Sequence, residues 1–89
     1  MKEKILKSID EFVNICYTMF KIGAGDFAKK NFPVLVNNVW DDSHSDEQNL
    51  IDIKSMLTLN KNLNEIQGNV NAAQTIDVFV KGWLDKIIK

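Results

Sequence analysis

Asp41, Asp42, Asp46, Glu47 and Asp52 fall within twelve consecutive positions, beside Trp40 and the only histidine of the chain, His44. Carboxylates at that density can hold a hard cation, move protons, or present a negative field to a basic partner. Asp41, Ser43 and Ser45 alternate and Asp52 stands at the twelfth position, which is the outline of a calcium-binding loop. Three residues spoil that outline. Asp46 stands where the sharp turn needs glycine, Gln48 stands where an apolar anchor belongs, and Ser45 already reads as the start of a helix. A transition-metal site lacks the second nitrogen or thiolate that would fix its geometry, so neither a metal nor another cofactor is expected.

Acid/base catalysis requires carboxylates whose surroundings push their pKa values apart, whereas these read as solvated. Cys16 and His44 could in principle pair as nucleophile and base, which gives a small hydrolase as the least favoured reading. Cys16, however, falls between Phe12 and Phe20 on an apolar helical face, where a thiol is buried and inert. The chain has no glycine-rich phosphate loop and no serine-centred elbow, so no enzyme is expected. Direct nucleic-acid binding is not expected either. The net charge is −1, all eleven basic residues are lysine, and Lys2, Lys4, Lys7, Lys29 and Lys30 form no dense stripe.

Protein binding is what this chemistry favours. The five acidic residues meet no lysine until Lys54, and tryptophan is enriched at binding hot spots. Trp40, Asp41, Asp42, His44, Asp46 and Glu47 therefore form a candidate docking surface for a basic protein partner. The competing role for Trp40 is to close the core beneath a solvated loop. Ten asparagines and ten isoleucines with no arginine suggest AT-rich coding, as in low-GC bacteria and their phages. Small helical proteins of that kind, with an acidic patch and few cysteines, are often inhibitors or immunity proteins. A dimeric helical regulator of transcription is the alternative.

The elements that must position these residues are helical. With 89 residues, 45% hydrophobic and 26% charged, the chain has the composition of one soluble domain spanning 1–89, and a lone cysteine fits a cytoplasmic setting. No run approaches the length of a membrane span or a signal-peptide core. Lys2 to Lys21 carry an apolar arc about 200° wide, twice the usual minimum for a helix packed on one side. Ile15 and Met19 lie at one margin of that arc and Tyr17 at the other, a surplus that predicts a homodimer contact there.

Gly23 and Gly25 are read as the stop of this helix. Asp26 then caps a short turn over Phe27 to Lys30, and a second helix starts near Phe32 with Pro33 in its first turn, a strand at Val34 to Val36 being the rival. Ser45 and Gln48 match a capping box for a third helix striped by Leu50, Ile53 and Leu57. Beyond Leu59 that stripe fails, since Asn60 and Asn64 fall on the apolar line while Leu63 and Ile66 leave it. A break at Asn60 to Asn62, with Asn62 and Glu65 as a second capping pair, would resolve the conflict. The last helix begins at Asn69 or Asn71 after Gly68, an unbroken run from Asn62 being the rival, and carries Ala72, Ala73, Ile76, Phe79, Val80, Trp83, Leu84, Ile87 and Ile88 on one side. The expected architecture is a small all-α antiparallel bundle of four to five short helices, with the first and last at the centre of the core.

Overall fold

Helix α1 spans Lys2–Met19, α2 Ile22–Val39, α3 Asp46–Ile66 and α4 Val70–Phe79; α4 continues through a π turn at Val80–Leu84 into a final α-helical turn, α5, at Asp85–Ile88. The computed structural model describes residues 1–19 and 21–88, and among them there is no strand and no helix long and apolar enough to cross a membrane. Phe20, counted in the apolar arc of the first helix, lies outside the described residues, as does the side chain of Ile88. Short connections fold α2 back along α1 and α4 back along α3, the two most extensive pairings. The helical period read from the sequence lands on the core: Ile5, Ile9, Phe12, Val13 and Cys16 of α1 are buried, as are Leu50, Ile53 and Leu57 of α3. At its centre the rings of Phe12, Phe32 and Phe79 meet, with centroids 6.1, 5.2 and 4.9 Å apart. Trp83 stands edge-on to Phe12 at 5.9 Å. The centre expected between the first and last helices is therefore shared with α2.

Helix α2 corrects the reading of the segment after α1. Gly23 and Gly25 lie in its first turn rather than ending α1, and the only glycine with positive φ is Gly68, at 82°. Pro33 lies well inside α2 instead of opening a helix near Phe32, and Val34 to Val36 form no strand. An interior proline costs a helix about 3 kcal/mol. Ala28, Phe32 and Val36, spaced four apart, are almost completely buried, and full burial of a side chain such as Phe or Val returns about 1.5–3 kcal/mol each. Packing therefore outweighs the lost hydrogen bond. Asp26 caps no separate turn; its carboxylate accepts the Tyr17 hydroxyl at 2.7 Å. Gly25 has its own reason to lack a side chain, because a Cβ there would stand 2.7 Å from Cε1 of Tyr17.

Helix α3 is unbroken across Asn60 to Asn62, and Asn62 and Glu65 form no second cap. The asparagines are absorbed by the helix itself: Asn60 Nδ2 donates to the Met56 carbonyl at 3.0 Å and Asn64 Nδ2 to the Asn60 carbonyl at 2.7 Å. The sequence conflict is thus retained in the fold. Asn60 and Asn64 are half-buried, while Leu59, Leu63 and Ile66 are 50%, 45% and 83% exposed. The helix ends in a Schellman turn, in which the Gly68 amide donates to the Glu65 carbonyl and the Asn69 amide to the Asn64 carbonyl.

The π turn keeps the last helix in register with the core. Phe79 and Leu84 are both fully buried although five positions apart, which would set them about 140° apart on an α-helix. A turn in which the Asp85 amide donates to the Val80 carbonyl stacks residues five apart. Lys54 Nζ, 2.9 Å from Asp85 Oδ1, ties this segment to α3. That oxygen is enclosed and has no hydrogen bond of good geometry, so the lysine charge is its compensation.

The two glycines of α2 should respond oppositely to alanine. Nothing lies within 4 Å of a Cβ at Gly23, so Gly23→Ala should stabilise the protein by roughly 0.5–1 kcal/mol. Gly25→Ala must displace the Tyr17 ring and should destabilise by about 1–3 kcal/mol. Denaturant midpoints moving in opposite directions are the expected readout.

Candidate functional site

The acidic loop joins α2 to α3 and is held by a residue that is not itself acidic. Asn49, in the first turns of α3, has no exposed surface. Its Oδ1 accepts from the Asp41 amide at 3.0 Å and its Nδ2 donates to the Asp41 carbonyl at 2.9 Å. One side chain therefore satisfies both backbone groups of the first loop residue, as a strand neighbour would. Asn49 falls on the same side of α3 as Leu50, Ile53 and Leu57. A neutral amide on an apolar line must find polar partners, and that was the signal the sequence offered.

The remaining loop residues are fastened to one another. Ser43 donates to Asp41 Oδ1 through its hydroxyl at 2.6 Å and its amide at 2.9 Å. These bonds hold the Asp41 carboxyl below the usual range, with a smaller contribution from His44. Ser45 caps α3 by accepting the Gln48 amide at 3.1 Å, but Gln48 does not reach back; it donates to Asp52 at 2.9 Å. The imidazole of His44 lies between two carboxylates, with Nε2 3.6 Å from Asp41 and Nδ1 3.7 Å from Asp52. Trp40 is half-buried against the core, and its Nε1 donates to Asp42 at 2.9 Å. Every residue from Asp41 to Gln48 is exposed. The structure thus gathers Trp40, Asp41, Asp42, His44, Asp46 and Glu47 at one end of the molecule, with the indole facing inward and the carboxylates facing water.

Among the described residues, no group of three His, Cys, Asp or Glu side chains is arranged to hold a metal ion. Cys16 is at the other end of α2 from His44. It is buried, and burial raises its thiol pKa, the opposite of what a nucleophile requires. At that far end the α1–α2 and α3–α4 turns face one another across an open cavity of about 720 Å³, lined by Phe12, Cys16, Phe27 and Val78 together with Lys21 and Asn64. Of the margins of α1, Ile15 and Met19 are 36% and 80% exposed. Tyr17 is engaged within the chain, by contact with Gly25 and its bond to Asp26. Compared with known proteins, the chain matches no family model, no curated protein and no solved structure.

Two expected outcomes follow from the loop. Asn49→Ala leaves the Asp41 amide without a partner and its carbonyl with the His44 amide alone, and should cost about 1–3 kcal/mol, whereas Asp46→Asn, on the surface, should stay within about 0.5 kcal/mol in the same denaturant titration. The folded-state pKa of Asp41 lies below its unfolded value, so its stabilising effect is complete above the ordinary carboxylate range and is lost as pH falls through the folded value. Ser43→Ala should move the Asp41 carboxyl titration, followed by NMR, to higher pH.

Proposed function

We propose that this protein is a non-enzymatic, small antiparallel helical bundle that acts by binding a basic protein, as an inhibitor or immunity-type protein does, through the loop between α2 and α3. The observation that carries this reading is the buried Asn49 clamp on Asp41. A solvated connector needs no buried amide to fix its backbone. A docking surface benefits, because a loop ordered before binding loses less conformational freedom on association. The charges support the same reading. Lys54, the nearest lysine in sequence, is committed to Asp85, and among the described residues Asp42, Asp46 and Glu47 are in no ion pair with a lysine. In this proposal the carboxylates meet the partner, and Trp40, pinned to the core and to Asp42, sets their position.

The test uses Asp42→Asn, Asp46→Asn and Glu47→Gln together, since the amide oxygen at position 42 can still accept from Trp40. Wild-type and variant protein are used side by side for capture from the native host. The wild type should retain a basic protein whose association slows as salt rises, and the variant should associate several-fold more slowly with a flattened salt dependence. Adding the wild type to the captured partner should lower that partner's activity. Equal capture by both proteins, at equal rates, overturns the reading.

A further inference from the structure

We infer that the C-terminal half of α3 is the contact surface of a homodimer, formed with a second copy of this chain in antiparallel orientation. Met56, Leu59, Leu63 and Ile66 are 40%, 50%, 45% and 83% exposed. At 100° per residue their centre lies about 130° round the helix from the buried Leu50, Ile53 and Leu57. Their spacing is three, four and three, the repeat by which two helices interlock side chains along a seam. That spacing is also symmetric about position 61. A two-fold axis at that position sets Met56 opposite the partner's Ile66 and Leu59 opposite the partner's Leu63, so one patch complements itself, as a closed dimer requires.

Charge selects the occupant. The positions flanking the seam are Ser55, Asn60, Asn62 and Gln67, all neutral, and Asp52, on the seam line one turn before Met56, falls opposite the partner's Val70 in this register, so no charge meets its own copy. Lys61 and Glu65 lie off the seam and are paired with each other at 3.6 Å. A basic partner of the acidic loop would find nothing here to answer its charge. Orientation follows from the same loop, because a parallel pair would bring two acidic N-termini of α3 together, and an antiparallel pair keeps them apart. The area is adequate. With Val70 at one end, 66% exposed, the exposed surface comes to roughly 550 Å² per copy, against about 800 Å² per partner in a standard interface. The flanking amides supply the remainder. This contact is separate from the α1 margin of Ile15, Met19 and Tyr17.

Sedimentation of the full chain tests the proposal. The wild type should be a dimer at concentrations on the order of 100 µM and should dissociate on dilution, and Leu63→Lys should be monomeric with unchanged helical content. Because Leu63 is exposed, loss of the dimer cannot be confused with loss of the fold. Orientation is read by disulfide crosslinking of Met56→Cys and Ile66→Cys. A mixture of the two single variants should crosslink efficiently, and either alone should not. A wild type that stays monomeric at that concentration, a dimer that survives Leu63→Lys, or self-crosslinking of each variant alone overturns the inference.

Discussion

Three phenylalanine rings, one each from α1, α2 and α4, fix the relation among the helices. Phe12, Phe32 and Phe79 are all within 6.1 Å of one another, centroid to centroid, and all are buried. No two of these three helices can slide or rotate against each other without parting one of these contacts. The constraint explains two departures from local preference. Helix α2 accepts Pro33 in its interior so that Phe32 can reach the cluster, and the last helix accepts a π turn after Phe79 so that Leu84 can follow it into the core. In both places a backbone cost of a few kcal/mol is outweighed by the burial of large side chains.

The same packing separates the molecule into two ends of different chemistry. Helix α2 begins beside the open cavity and ends at the acidic loop, and α3 returns from the loop to the cavity end. Apolar exposure is greatest at the cavity end, at Met19, Ile22, Ile66 and Val70, whereas the loop end is charged and ordered by Asn49. The outward seam of α3 runs between the two. The proposed surfaces for a basic partner and for a like copy can therefore be occupied together, because each lies on a different part of the same helix.

The helical class and most of the core were legible because period alone determines them: Ile5, Ile9 and Phe12, or Leu50, Ile53 and Leu57, have no other arrangement that hides them. The Ser45 cap and the end of α3 at Gly68 were legible because their backbone chemistry is local. What failed was every inference in which a local signal competes with tertiary packing. Gly25 resembles a helix stop but is glycine because Tyr17 lies against it, a contact invisible in sequence. Pro33 and the Asn60 to Asn64 stretch resemble breaks, yet burial on one side and amide bonds to the helix's own carbonyls carry the chain through both. Of the candidate site, the acidic residues could be listed from sequence, but their fixed arrangement could not. It depends on Asn49 meeting Asp41 eight residues away.

The π turn at Val80–Leu84 stores one residue more than an α-helix would need to bring Phe79 and Leu84 to the same side. Removing Gly82, where a Cβ would meet no side chain within 4 Å, turns the five-residue step between them into a four-residue step. Four residues on an α-helix return to within about 40° of the same direction, so both side chains would still face the core. This is a site where the loss of one residue leaves Phe79 and Leu84 in the interior. The chain can shorten there by one residue while the core stays the same.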